Sequence, residues 1–419
     1  MITQSTSVIG EQEGLSEDAV RRLSKAKNEP AWMLQQRLVA FKAFEELPMP
    51  QLSYGLHVNA PVNIAIHDLR PLENIARHKS SSAGDVIIED LSVAAAKHES
   101  ILRPLIAGNR EYRNKLEALF AAFWNTGVFV YAPRQKQKGM ATLVTLELPQ
   151  RQTTLAAVVI VAEENSNLAV VESLTANETV TGSSRAYRIE GDGVIAAQNA
   201  TVKFATLQKL GSHVNSLLMR RAGAGKDAVV YWADISIGGG STRLETETIL
   251  NGEGATSNIT GAFFCDDAQQ LDIMAKAVHN ARSTASNMSI KGALKGRSKA
   301  IVQSFTKITK NAANSAGHQK ANILLLSDSA KASPIPKLEI DNYDVKASHE
   351  ASVGRLDSEK LFYMLSRGLE AKEAMRLVVE GFFEPLLRQM QSVQLAGELR
   401  QTITAKMEAV EKEGTAVAK

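Results

Sequence analysis

The chain has one cysteine, Cys265, in 419 residues, and only 5% of its residues are aromatic. A single thiol excludes an intramolecular disulfide and makes a reducing compartment the expectation. It also excludes a Cys-rich zinc or iron–sulfur site built by this chain alone, which needs several thiolates. Long apolar runs are missing too. "LAAVVIVA" at 155–162 is the longest, far short of a membrane span. The opening stretch "MITQSTSVIGEQEGLSEDAV" is polar and acidic and has no signal-peptide pattern, so a cytoplasmic protein without membrane contact is expected. A net charge of +3 gives no general basic signal for nucleic acid. A phosphate loop is also lacking. "RRAGAGKDA" at 220–228 follows Lys226 with Asp227 where the motif needs Ser or Thr, and Gly238–Gly240 reads as a tight turn. Any ATP-driven step therefore has to come from a partner.

What is present is a soluble composition, 44% hydrophobic and 22% charged, on a chain too long for one ordinary core. Two or three domains are expected. Ser16 signals a helix start, and Met33, Leu34, Leu38 and Phe41 are spaced for one helical face, before Pro48 and Pro50 end the segment. Leu116, Leu119, Phe120 and Phe123 form a second helical stripe. Between these blocks, 53–70 reads as short strands. After Gly127 the period becomes two. Leu244, Thr246, Thr248 and Leu250 share one face of a strand, as do Leu271, Ile273, Ala275 and Ala277. A region this rich in strands must avoid exposed edges, by forming a sandwich, a barrel or a solenoid, and no repeat of fixed period chooses among them. Past Gly354 the pattern is helical again. Asp357 is a cap, Leu361, Met364 and Leu365 form a stripe, and Gly368 is a stop; a second helix carries Ala374, Leu377 and Val378 before Gly381. The expected division is 1–126 helical with short strands, 127–345 β core, and 346–419 helical.

The stretch from His318 to Leu387, "HQKANILLLSDSAKASPIPKLEIDNYDVKASHEASVGRLDSEKLFYMLSRGLEAKEAMRLVVEGFFEPLL", closely resembles the C-terminal signature of the SufB/SufD scaffolds of the SUF iron–sulfur cluster assembly system. "ILNGEGATSNITGAFFCDDAQQLDIMAKAV" and "EPAWMLQQRLVAFKAFEELPMP" add to the likeness. The resemblance implies a right-handed parallel β-helix core flanked by N-terminal and C-terminal helical domains. It implies a SufC-type ABC ATPase docked on the C-terminal helices and a second SufB/SufD-type chain forming a homo- or heterodimer. A transient iron–sulfur cluster, a cysteine desulfurase as sulfur source and a reduced flavin as electron source follow from the same likeness. So does a role for His349 in cluster assembly at the dimer interface.

Imidazole and carboxylate suit iron, which makes His349 and Glu350 the candidate assembly residues and metal ligands. On one strand they would point to opposite faces. Cys265 is a further ligand candidate, although Asp266 and Asp267 beside it would raise its pKa. The sequence departs from both patterns: Thr248 and the 320–322 segment stand where SufB-type members carry cysteine, Ala347 stands where SufD-like members often do, and Glu350 is as in SufB-like members where SufD-like ones often have glycine. The missing SufB-type thiols favour a SufD-like partner role. Phe362, Tyr363, Phe382 and Phe383 exceed what two packed helices need and are candidate partner-binding aromatics, with packing onto the β core as the alternative. His57, His67, His78, His98, His213 and His279 show no ligand spacing, and His318 is a lesser candidate near the assembly segment. No conventional turnover is expected. A structural adaptor without a cluster and a β-helix polysaccharide-active enzyme are the other classes.

Overall fold

The computed structural model describes residues 14–50, 64–71, 77–108, 111–134, 138–146, 153–175, 186–389 and 393–408. Most of the short strands expected over 53–70 lie outside these residues. Within the part that is described, 64–70, Ile66–Asp68 is a 3₁₀ turn and no residue is assigned to a strand.

Two nine-stranded sheets face each other as a parallel β-solenoid of about seven turns, with helices at both ends of the chain. From Thr126–Ala132 onward the strands alternate between the sheets, so each pairs with the next but one in the chain. Thr256 stands beside Ala285, and Ala285 beside Ala316, an advance of roughly thirty residues per coil, within the range of solenoid repeats. Two antiparallel pairings close the N-terminal end, Arg77–Ala83 with Lys138–Leu146 and Ile87–Asp90 with Thr126–Ala132. The other end closes differently. Lys331–Ile340 and Val345–Arg355 are the last strands of their sheets and have a neighbour on one side only. The β core thus runs to Arg355, beyond the expected boundary at 345.

The lumen holds a long apolar core, including Val170, Phe204, Trp232, Phe263, Ile273, Met288 and Val302, and a smaller separate apolar cluster around Leu174, Leu218 and Leu244. The expected faces are present: Leu244, Thr246, Thr248 and Leu250 are buried, as are Leu271, Ile273, Ala275 and Ala277. Gly292 is a packing requirement, because a Cβ there would lie 1.9 Å from the Phe263 ring. The N-terminal helices Glu17–Ala26, Ala31–Glu46, Leu91–Lys97, Glu99–Ala107 and Lys115–Phe123 cover the outer face of one sheet. Ser16 caps the first of them as expected, its Oγ accepting from the Ala19 N–H. Gly191 lets the helix Lys115–Phe123 approach, since a Cβ there would meet Phe120 at 2.3 Å.

Helices Ser358–Ser366, Ala371–Gln389 and Val393–Glu408 follow the last strand. Gly381 does not end the second of them; the helix continues past it and past Pro385. Phe383, Leu386, Leu399 and Ile403 pack on Leu207, Ile235, Phe264 and Leu324. Those strand residues lie on the outer face of the second sheet. The C-terminal helices therefore cover the solenoid's flank and leave its end open. Lys406 pins this layer, donating to the Phe264 carbonyl at 3.1 Å and to Asp266 Oδ1 at 2.8 Å. No described helix is long and apolar enough to cross a membrane.

His279 gives the core a pH dependence. Its ring is fully buried, with Nδ1 2.8 Å from Thr284 Oγ1 and Nε2 2.8 Å from Ser286 Oγ. Burial lowers its pKa from 6.5 to about 4. The unfolded chain therefore takes up this proton first, so the stabilisation is complete above pH 6.5 and is lost as the pH falls toward 4. A full loss is worth about 3 kcal/mol. Denaturant midpoints of wild type and His279→Gln across this window should converge as the pH falls. A stability gap that does not change with pH would refute this.

Candidate functional site at the open end

The final strand, Val345–Arg355, is exposed along nearly its whole length. In register it lies on Ser315–Leu325, whose burial alternates. Gln319, Ala321 and Ile323 are buried toward the lumen; His318 and Lys320 are exposed outside. Register carries this alternation to the last strand. His349 pairs with Gln319 and so lies on the lumen side, where no further coil covers it. Glu350 pairs with Lys320 on the outer side. The two candidates do face opposite ways.

Glu350 is held by its neighbours on that face. Lys320 Nζ donates to Oε2 at 2.9 Å and Asn322 Nδ2 to Oε1 at 3.4 Å. The Lys320 hydrogen bond, then that of Asn322, holds its carboxyl below the usual range, so Glu350 is a carboxylate at neutral pH. Asn322 also donates to Ser352 Oγ at 2.6 Å, and His318 Nδ1 lies 2.8 Å from Ser348 Oγ. His318 thus belongs to the same outer ladder as Glu350, away from His349.

The two edge strands at this end differ. Lys331–Ile340 carries Pro334 and Pro336, which have no N–H to offer. Lys331 N–H donates inward to Ser298, so residues of the other parity, both prolines among them, face the free edge. Val345–Arg355 carries no proline. One edge is blunted against strand addition and the other is not.

Cys265 is corrected as a ligand candidate. It lies in the lumen core beside Leu294, and burial pushes its thiol up to about 12. At that depth the thiol is out of reach of solvent, and its raised pKa works against thiolate chemistry. Thr248 is also inside, where Trp232 Nε1 donates to its hydroxyl at 3.0 Å and Ser257 Oγ at 2.9 Å.

The four aromatics divide. Phe383 is fully buried against the sheet, and Phe382 is half-buried beneath Lys291, whose Nζ lies 4.8 Å from the ring centroid. Phe383 is therefore a packing residue and not a surface anchor, because the helix that carries it lies flat on the solenoid. Phe362 and Tyr363 remain 73% and 58% exposed, next to Leu365, Leu369 and Leu377.

Sequence reading missed a charged layer inside the lumen. Glu172, Arg188, Glu190, Asp192, Arg220 and Asp234 are all buried, on strands whose neighbouring inward positions are apolar. Burial first, then repulsion from Glu190, pushes Glu172 and Asp192 well above the carboxylate range. The signal was available in "YRIEGDGV", where Arg188, Glu190 and Asp192 keep the period-two phase of Val194.

Residues 145–382 match the family model described as the SUF system FeS cluster assembly, SufBD core domain. An iron-sulfur cluster assembly SufBD family protein of Staphylococcus haemolyticus is 26% identical over 452 aligned residues, covering 97% of this chain and 96% of the relative. A Staphylococcus aureus protein with the same description is 26% identical over 450, covering 96% and 95%. The matched core takes in the lumen, the open end and the start of the flanking helices, and the chain belongs to the SufBD family of iron–sulfur cluster assembly proteins.

Proposed function

We propose that the chain is a scaffold subunit for iron–sulfur cluster assembly whose working surface is the open end of the solenoid. The observation that carries this reading is the last strand itself. It is a full-length, proline-free edge, with His349 on its lumen side and Glu350 on its outer side. A second SufB/SufD-type chain adds its own edge strand there, using backbone hydrogen bonds for affinity. That pairing completes the ligand set for iron and sulfide, the substrates of assembly, which one histidine and one carboxylate cannot hold alone.

Because Cys265 is buried and protonated, this chain is the SufD-like member and its partner supplies the thiolates. Sulfur comes from a cysteine desulfurase and electrons from a reduced flavin. A SufC-type ABC ATPase docks on the exposed surface of Phe362, Tyr363 and Leu377. A polysaccharide-active enzyme is disfavoured by the groove between the helix Lys115–Phe123 and the face of the sheet it packs on, which Arg113, Glu117, Arg221, Glu247 and Lys276 line. Its carboxylates Glu117 and Glu247 are paired with Arg113, Arg221 and Lys276 and held low, so neither can act as a general acid.

The test is anaerobic reconstitution of the assembled complex with iron and sulfide, read by visible charge-transfer absorption. His349→Ala removes an exposed ring from a strand held by its neighbour, so folding and pairing should persist. Cluster yield should fall roughly tenfold or more, the scale of losing support at a metal site. Unchanged yield would leave His349 a polar residue of the rim and favour the adaptor reading.

A further inference from the structure

Six charged side chains meet inside the solenoid, and their pairing is incomplete. Arg188 covers one oxygen of Glu190: its Nε donates to Oε2 at 2.8 Å, and Nη2 bonds the same atom. Arg220 Nη1 bonds Asp234 Oδ1, and Arg220 Nε stands 3.2 Å from Asp192 Oδ2. Each arginine thus engages one oxygen of its carboxylates. Glu190 Oε1 and both oxygens of Asp192 and of Glu172 accept no N–H hydrogen bond, although all three side chains are almost wholly buried; without an ion the Glu172 carboxyl keeps its proton and shares it with Glu190. The nearest cation to Glu172 is Arg188 Nη2, at 3.8 Å.

Four carboxyl groups therefore face two guanidiniums in a compartment where an unpaired charge is costly, and burial keeps two of them, Glu172 and Asp192, in the protonated form when no ion is bound. One ligand oxygen from each of Glu172, Glu190 and Asp192 falls within 4.8 Å of the others. Oxygens bound to one hard divalent cation at about 2.0–2.6 Å lie within such a span of one another. A neutral group gives a separate indication. Thr206 is in register with Glu172 on one side and Asp234 on the other. Its hydroxyl is buried, faces the same lumen, and has no partner. A void of about 10 Å³, close to the size of one water, adjoins Thr206 on its Asp234 side and does not reach Glu172, Glu190 or Asp192, so any water in the ion's shell would have to enter with the ion.

We propose that the lumen binds one hard divalent cation, of the Mg²⁺, Ca²⁺ or Mn²⁺ class, through Glu172, Glu190 and Asp192, with Thr206 and a water completing its shell. The donor set is all oxygen, which selects these ions over those that favour thiolate or imidazole. A divalent ion would replace the two protons that Glu172 and Asp192 carry in its absence, leaving the charge of the layer balanced. This site is separate from the open end: Glu172 and Asp192 lie on early coils, and His349 lies on the last strand. The ion would staple the two sheets where Glu172, from one, meets Glu190 and Asp192, from the other.

Because the site is buried, the ion is loaded during refolding. The full chain is unfolded with EDTA and refolded with Mn²⁺, Mg²⁺ or Ca²⁺ alone, or with EDTA. It is then washed with EDTA in the native state and its metal is counted by mass spectrometry. At least one metal arm should retain about one equivalent per chain and melt at a higher temperature than the EDTA arm. His349→Ala should retain the ion, and Glu172→Gln with Asp192→Asn should lose it. Wild type that refolds metal-free in every arm overturns the proposal, and so does metal retained by the double variant. If the double variant does not refold, Glu172→Gln alone is read in its place, and unchanged retention again overturns the site.

Discussion

Replacing Phe362 and Tyr363 together with serine is expected to abolish the proposed docking of a SufC-type ATPase while leaving the chain folded. Both rings are mostly exposed on the helix Ser358–Ser366, which buries none of its residues. Losing them costs the monomer no core contact. Neighbouring Leu365, Leu369 and Leu377 extend the apolar surface across to the next helix. Central aromatic anchors are worth about 2 kcal/mol or more each, so the pair should weaken binding by roughly a thousandfold. Phe383→Ser is the contrasting variant. It should destabilise the chain by about 3–5 kcal/mol, because it removes a ring packed on the sheet. Size-exclusion co-elution with the ATPase and thermal melts of each variant separate the two cases. Truncation before the helices would confuse them, because it strips the cover from Leu207, Ile235, Phe264 and Leu324. Full ATPase binding by the Phe362/Tyr363 variant would move the docking surface elsewhere.

The alternating strands and the capped helices could be read from the residues alone, because period two and Ser or Asp caps are local signals. The coil repeat was hidden because it is a repeat of conformation and not of residue type. The left-handed corner is occupied by Asn165, Asn199, Asp227, Gly254, Ser283 and Asn314 in successive coils. Any residue that tolerates positive φ serves there. The coils also differ in length: Asn215 pairs with Ser241, whereas Thr153 pairs with Tyr187. At the candidate site, alternation placed His349 and Glu350 on opposite faces, but nothing local says that the C-terminal helices fold back along the flank. That docking also explains the misread Gly381. Packing of Phe383 and Leu386 on the sheet outweighs the roughly 1 kcal/mol a glycine costs inside a helix.

A large loss of stability is also expected at Arg37. Its side chain is 1% exposed, and it holds Glu29 through both nitrogens of a fork, Nε to Oε2 at 2.8 Å and Nη2 to Oε1 at 2.7 Å. It also donates to the carbonyls of Ala122 at 2.9 Å and Trp124 at 3.0 Å, and its guanidinium lies 4.0 Å from the Trp124 ring centroid. These contacts join the helix Ala31–Glu46 to the point where the helix Lys115–Phe123 gives way to the first coil. Position 37 is one turn from both Met33 and Phe41, within the apolar stripe, so its burial follows from the spacing. Arg37→Ala strands Glu29 in the core and orphans two carbonyls, and should cost about 3–5 kcal/mol. Arg37→Lys should recover little, since an ammonium cannot reproduce the fork. Arg37→Met combined with Glu29→Leu should recover most of it, because removing both charges removes the unpaired one. Denaturant unfolding followed by tryptophan fluorescence would measure all three. An Arg37→Ala variant within about 1 kcal/mol of wild type would show that Glu29 finds water or another partner, and that the fork does not hold the N-terminal helices in place.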